Sequence, residues 1–191
     1  MENSARSERS RNAAIQAALT IIARDGPGRL TLDAIARESG ISKGGVMHQF
    51  RTKGAVLKAL LEHQFDHFAK FSEDYVAKAD AGQSELQLLA QIATLREVAI
   101  NRSPVAFAIV GALAEEPGLL SITRETEIEK IECIKVEAAD PDLALLRWAA
   151  ARGLALSALF GLYAFPEEDR ERLFDRLLDN RQWAAFTKVD E

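Results

Sequence analysis

Lys43, His48, Arg51 and Lys53 fall within one short stretch, ISKGGVMHQFRTKG (41–54), around the adjacent glycines Gly44 and Gly45. Cationic groups at that density suit an oxygen polyanion, and a nucleic-acid phosphate backbone presents one anionic oxygen group after another. A glycine in a helix interior costs about 1 kcal/mol relative to alanine. Two in succession, in what reads as a short helix, imply that the missing side chains have a use: a partner can come close to the backbone. Ser42 and Thr52 are residue types that cap helix N-termini through a side-chain oxygen. Ser42 would open a helix reaching about Phe50, and Thr52 would open a longer one. Arg29 and Thr31 repeat the pairing of a cation with a capping hydroxyl one helix earlier.

Other residue types could do different chemistry. His63 and His67 lie four apart on one helical face beside Glu62 and Asp66, a spacing able to hold a transition metal. No third ligand is evident, and solvated histidines on a charged face account for the pair, so no metal and no cofactor are expected. Cys133 is the only cysteine, which excludes an internal disulfide and a multi-cysteine zinc site; flanked by Ile131, Ile134 and Val136, it reads as a small buried side chain. There is no glycine-rich phosphate loop, nucleophile elbow, or Ser/His/Asp or Cys/His arrangement. No catalytic residue is assigned and no enzyme is expected. The acidic residues from Glu125 to Glu137 interleave with Ile128, Ile131 and Ile134, as on a solvated helix face.

The elements that would position these residues are helices. The 191 residues are 48% hydrophobic and 28% charged, as in a globular protein with a core of its own. The polar N-terminus MENSARSERSRNA lacks an apolar signal region, so cytoplasmic residence is the expectation. The longest apolar run, 143–165, contains Arg147 and Arg152 and reads as a buried helix rather than a membrane span. The net charge of −5 divides unevenly, with +5 on residues 1–60 and −10 on the remainder. A basic head on an acidic body suits a polyanion partner at one end only. Ile15, Ala18, Leu19 and Ile22 recur at helical spacing and end at Asp25-Gly26-Pro27-Gly28. Thr31 would cap a short helix ended by Gly40. The Thr52 helix carries Leu57, Leu61, Phe65, Phe68 and Tyr75 on one stripe, and Ser84 to Gln87 reads as a capping box. Further helices are expected over 104–114, 119–138, 140–164 and 166–183, about nine in all.

Short helix, glycine turn and second short helix over 31–50 have the dimensions of a helix-turn-helix. Residues 11–60 resemble the DNA-binding domain of the tetracycline-repressor (TetR/AcrR) family. The likeness rests on Ile15, Ala18, Leu19, Gly26, Thr31, Ile35, Ala36, Gly40, Ile41, Ser42, Gly44, Phe50, Lys53 and Leu57 in the family's order. It implies an all-α protein, with a three-helix DNA-binding domain over 1–55 and a helical effector-binding and dimerisation domain over 56–191. On that basis Lys43, Gly44 and Gly45 would face the major groove behind Ser42, and His48 would reach a phosphate or base. Arg29, Thr31, Thr52 and Lys53 would grip the backbone. Met47 and Gln49 depart from the pattern: Met47 stands where a tyrosine that reaches DNA is usual, and Gln49 where histidine or tyrosine is common. Arg51, Arg6, Arg9 and Arg11 are candidates to compensate.

In the remainder, Ala149, Gly153, Ser157 and Gly161 recur every four residues and make a smooth ridge flanked by Leu156 and Phe160. With Leu173, Leu177 and Leu178 this is the candidate dimer interface; the alternative is packing within the monomer. Phe65, Phe68, Tyr75, Leu89, Ile92, Phe107, Val110 and Trp148 are candidates to line an effector pocket, with Arg96 and Arg152 as polar contacts, although each also reads as core or surface pairing. The expected partners are double-stranded DNA bearing a palindromic operator, a second copy of the chain, and a small apolar or amphipathic effector, with no membrane. The function read from these features is a ligand-responsive DNA-binding regulator, a repressor. Two alternatives stay open: an architectural or partner-recruiting DNA binder of the same fold without an effector, and a helical small-molecule binder that has lost DNA binding.

Overall fold

The computed structural model describes residues 2–80, 82–101, 106, 118–162 and 166–186. Among them are eight α-helices and no strands: α1 (Glu2–Asp25), α2 (Leu32–Ser39), α3 (Lys43–Gln49), α4 (Lys53–Ala77), α5 (Leu86–Ile100), α6 (Leu119–Glu137), α7 (Pro141–Leu159) and α8 (Glu167–Leu178). Short 3-10 turns occupy Pro27–Arg29, Asn180–Gln182 and Ala184–Phe186. The helix expected over 104–114 lies outside the described residues apart from Ala106. The described residues fall into two compact units, 2–66 with 106 and 118–120 in the first, and 67–101 with 121–162 and 166–186 in the second; α4 and α6 run through the boundary.

The first unit is built by local signals. Thr31 caps α2, its hydroxyl accepting from the Ala34 amide at 3.0 Å, and Gly40 ends the helix at φ 70, a left-handed conformation that glycine adopts without strain. Ser42 accepts from the Gly45 amide at 3.1 Å and Thr52 from the Ala55 amide at 3.1 Å. Ala14, Ala18 and Ile22 of α1, Leu30, Ile35 of α2, and Val46 and Phe50 at α3 are buried. The polar N-terminus is helical from Glu2, thirteen positions before the first apolar repeat at Ile15. Tertiary contacts hold it there. Gln49 Nε2 donates to Ser7 Oγ at 3.0 Å, and the Arg11 guanidinium lies 5.1 Å over the Phe50 ring while pairing with Glu62 at 3.6 Å.

The second unit has its own core, with Leu88, Ile92 and Ala99 of α5, Ile134 of α6, Ala144, Ala151, Ala155 and Ala158 of α7, and Phe174 and Leu177 of α8. The alanines give α7 a flat inner face against which larger side chains of its neighbours pack. Buried in that face is Arg147, 1% exposed. It donates to Glu85 Oε2, the Leu177 carbonyl and Asn180 Oδ1, each at 2.7 Å, and its guanidinium lies 5.5 Å over the Trp183 ring.

Two sequence expectations fail here. Ser84 to Gln87 forms no capping box: Glu85 takes φ 54 and turns its carboxylate to Arg147, while the Gln87 amide donates to Glu137 of α6 at 2.6 Å. A carboxylate still caps α5, but it is supplied in space rather than in sequence. Cys133 is exposed, because the turn that buries Ile134 rotates Cys133 and Val136 outward. Among the described residues, no helix is long and apolar enough to cross a membrane.

Candidate DNA interface

The three capped N-termini bring the residues singled out from sequence onto the outside of the first unit. Arg29, Thr31, Ser42, Lys43, Gly44, Met47, His48 and Thr52 are exposed, and Lys53 and Gly45 are partly so. The caps fix the backbone on which they sit: each hydroxyl satisfies an amide that the first turn leaves unpaired. Val46, fully buried, and Phe50, 2% exposed, anchor α3 from within, so that Lys43, Met47 and His48 are held outward by their neighbours. Met47, 47% exposed, is one of nine large apolar side chains left exposed among the described residues. Gln49 does not point outward with it; its amide ties the end of α3 to Ser7 in the first turns of α1.

The structure divides the glycine pair. A Cβ on Gly45 would stand 2.7 Å from Ile41 Cγ2 and 3.2 Å from Ser42 Oγ, so the loop entering α3 leaves room for hydrogen only. A Cβ on Gly44 would meet nothing within 4 Å. Packing within the head therefore explains Gly45, and only Gly44 is left open towards a partner.

The electrostatics at this surface are pairwise. Lys43 Nζ lies 2.9 Å from Asp33 Oδ1 and 3.2 Å from Oδ2, joining the first turn of α3 to the first turn of α2. Arg24 forms a fork with Asp25 and Glu38, each reached by Nη2 at 2.9 Å. These hydrogen bonds raise the Arg24 pKa further, and those from Arg24 hold the Asp25 carboxyl below its usual range. A cavity of about 470 Å³ opens there, lined by Arg24, Arg29 and Arg37 together with Asp25 and Glu38.

The other sequence candidates are dispersed. Leu89 and Ile92 are buried in core, Trp148 packs beside the second core, Phe65 and Phe68 are half-buried in different units, and Phe107 and Val110 lie outside the described residues. Arg96 is held by Glu171 at 2.7 Å and Asp175 at 2.9 Å; Arg152 pairs with Glu127 and lies 5.1 Å over Trp148. A second cavity, of about 420 Å³, is lined by Phe71, Tyr75 and Gln83 with Asp74, Lys78 and Asp80, of which Tyr75 alone is among the expected pocket residues; burial raises the Tyr75 pKa. On α7, Ala149, Gly153, Leu156 and Phe160 face outward with Leu146, Ser157 is partly exposed, and Gly161 is exposed at φ 67 just beyond the helix. Of the α8 residues, Leu173 and Leu178 are partly exposed. Leu177 turns into the core beside Phe174, and so it is not part of that outer face. His63 and His67 are exposed, and among the described residues no three His, Cys, Asp or Glu side chains come together to hold a metal. Sequence reasoning missed the Arg147 hub, whose partners are 30 to 62 residues away along the chain.

Comparisons with known proteins match this architecture. Residues 14–60 match the family described as bacterial regulatory proteins, tetR family, and residues 84–180 match the tetracyclin repressor-like C-terminal domain. A transcriptional regulator from Rhodococcus sp. Rha1 superposes with TM-score 0.66 at 20% identity over 94% of this chain and 99% of its own. A regulator from Streptomyces coelicolor A3(2) gives 0.67 at 19% identity over 95% and 99%. The multidrug binding protein EbrR, solved with ethidium, gives 0.63 at 21% over 88% and 97%. At these identities the likeness establishes the fold. No match was found among curated proteins.

Proposed function

The chain belongs to the TetR family of bacterial regulatory proteins, and from that premise we propose that it is a homodimeric transcriptional repressor, released from a palindromic operator by a small apolar or amphipathic effector. Residues 1–55 read DNA, and 56–191 bind the effector and dimerise. The observation that carries the reading is the outer surface of the first unit, where Thr31, Ser42 and Thr52 cap three helices in a row and Arg29, Lys43 and His48 stand exposed around them. Lys43, Gly44 and His48 enter the major groove, and Arg29, Thr31, Thr52 and Lys53 grip phosphates. The protein acts by binding and carries no catalytic centre; its place is the cytoplasm, with its DNA.

The exposed apolar face of α7, made by Leu146, Ala149, Gly153, Leu156 and Phe160, supports dimerisation, because small residues let a second helix lie close and Leu146 is 68% exposed in the single chain. Two heads about one DNA turn apart, roughly 34 Å, require a nearly palindromic site. The effector binds in the second domain and favours a head spacing that no longer fits the operator, with α4 as the transmitting element. EbrR, a multidrug binding protein solved with ethidium, supports an organic effector of this kind.

Fluorescence anisotropy on duplex DNA from upstream of the protein's own gene, against scrambled duplex and across a salt series, tests the reading. Tight binding at physiological salt on the upstream duplex alone is expected, and a small-molecule library should then yield compounds that abolish it. Equal, weak binding to both duplexes, with no compound having an effect, would replace the repressor with an architectural DNA binder of the same fold.

A further inference from the structure

The ion pair between Lys43 and Asp33 has a consequence for how the head distinguishes one DNA from another. Both side chains are more than half exposed, and the pair spans two helices: Asp33 in the first turn of α2 and Lys43 in the first turn of α3. Lys43 Nζ touches both carboxylate oxygens, at 2.9 and 3.2 Å. The ammonium that would be the nearest cation to DNA at this point already has an anionic partner supplied by the protein. A phosphate can take that ammonium only by displacing a carboxylate, and the displaced carboxylate would then face the polyanion.

We propose that Asp33 is a specificity-determining residue that competes with phosphate for Lys43. On DNA that offers Lys43 no base acceptor, such as a guanine O6/N7 edge, the ammonium stays with Asp33 and contributes nothing to backbone affinity. On DNA that offers one, Lys43 exchanges Asp33 for the base. The pair thus lowers affinity for random duplex and reserves Lys43 for sequence reading. This rests on the DNA-binding reading above and assigns a role within the same surface.

The salt slope of binding isolates the effect, because it counts phosphates neutralised by protein cations and changes by about 0.9 for each one. Four proteins are compared on random duplex by anisotropy: wild type, Asp33→Asn, Lys43→Ala and the double variant. Wild type and the double variant should share one slope, since in neither does residue 43 neutralise a phosphate and in neither is the Asp33 carboxylate left unpaired, whereas Lys43→Ala, which frees that carboxylate, should bind more weakly than the double variant. Asp33→Asn should be steeper by about one and bind about three- to fivefold tighter at low salt, since its lysine is released to the backbone. If Lys43 instead holds a phosphate in the wild type, the double variant will be flatter than wild type by about one and Asp33→Asn will keep the wild-type slope; that result overturns the inference while leaving DNA binding intact. A wild type with no salt-dependent affinity for duplex overturns the DNA-binding reading and this inference with it. Should Asp33→Asn fail to fold, Asp33→Ser takes its place in both the single and the double variant, with the same outcomes.

Discussion

In the first unit Lys43 meets Asp33, and Arg24 meets Asp25 and Glu38, all at the surface in water, whereas in the second Arg147 is 1% exposed and is held by a carboxylate, a carbonyl and an amide oxygen. Exposed pairs of the first kind contribute about 0–1 kcal/mol, so a well-placed outside acceptor such as a base edge can take the cation from its partner. A buried charge cannot be exchanged in that way, since leaving any of its partners exposes it to an apolar surrounding. The same residue type therefore does two different things in one chain. Lys43 and Arg24 on the head sit in exposed, solvated pairs, and Arg147 is a structural joint fastening α7 to the entrance of α5 and to the segment after α8.

The largest effect should come from breaking the joint. Arg147→Ala leaves Glu85 and Asn180 without their donor, and a buried pair broken on one side costs about 3–5 kcal/mol. Urea unfolding of the second unit should shift by that amount, and Arg147→Lys should restore little of it, because one ammonium cannot reproduce a planar fork reaching three acceptors. An Arg147→Ala protein with wild-type stability would mean the joint is ornamental.

How much could be read from the sequence follows the same division. Thr31, Gly40, Ser42 and Thr52 were legible because a cap or a left-handed C-terminus is decided by residues within three or four positions. The Arg147 joint was not, since its partners Glu85, Leu177 and Asn180 lie 62, 30 and 33 residues away, and nothing local marks them. Cys133 misled for a related reason. Its apolar neighbours suggested burial, but on a helix orientation decides, and Ile134 takes the inner position. On α7 the outward face with Gly153 and Leu156 was legible by spacing, whereas the inward turn of Leu177 depended on a rotation of α8 that spacing alone did not fix.

The next effect in size tests that outer face. Leu156→Glu places a charge where a second copy is proposed to pack, and loss of a central apolar contact of this kind costs about 2 kcal/mol or more of association. Sedimentation should show dissociation with helical content retained, because Leu156 is 42% exposed and outside the core. Leu177→Glu, in contrast, should unfold the second unit, since Leu177 is 6% exposed. Unchanged self-association of Leu156→Glu would move the interface off α7.

Within the head, the two glycines should respond oppositely to the same methyl. Gly44→Ala meets open space and should raise helix stability by about 0.5–1 kcal/mol. Gly45→Ala drives a methyl to 2.7 Å from Ile41 and should lower head stability by about 1 kcal/mol or more as Ile41 or the start of α3 shifts. Thermal unfolding measures both. If Gly44→Ala folds better yet loses DNA affinity, the open glycine is there for the partner; if it keeps full affinity, close backbone approach at residue 44 is not part of recognition.

The smallest effect concerns pH and returns to the exposed charges. Hydrogen bonds from Arg24 hold the Asp25 carboxyl below its ordinary value of about 3.8. A depressed carboxylate stabilises the fold above its unfolded pKa, and that contribution is lost as pH falls through the lower folded value. The Arg24 pair should thus be silent from pH 5 to 8, and its loss should be felt only below about 3.8. Arg24→Gln removes the donor fork, so its head should unfold at slightly higher pH than wild type in an acid titration followed by circular dichroism. The two proteins should be indistinguishable near neutrality, because the fork is solvated. A difference that grew between pH 5 and 7 would show instead that this surface pair is coupled to a buried group, and the contrast between exchangeable charges on the head and a fixed charge in the body would then fail at Arg24.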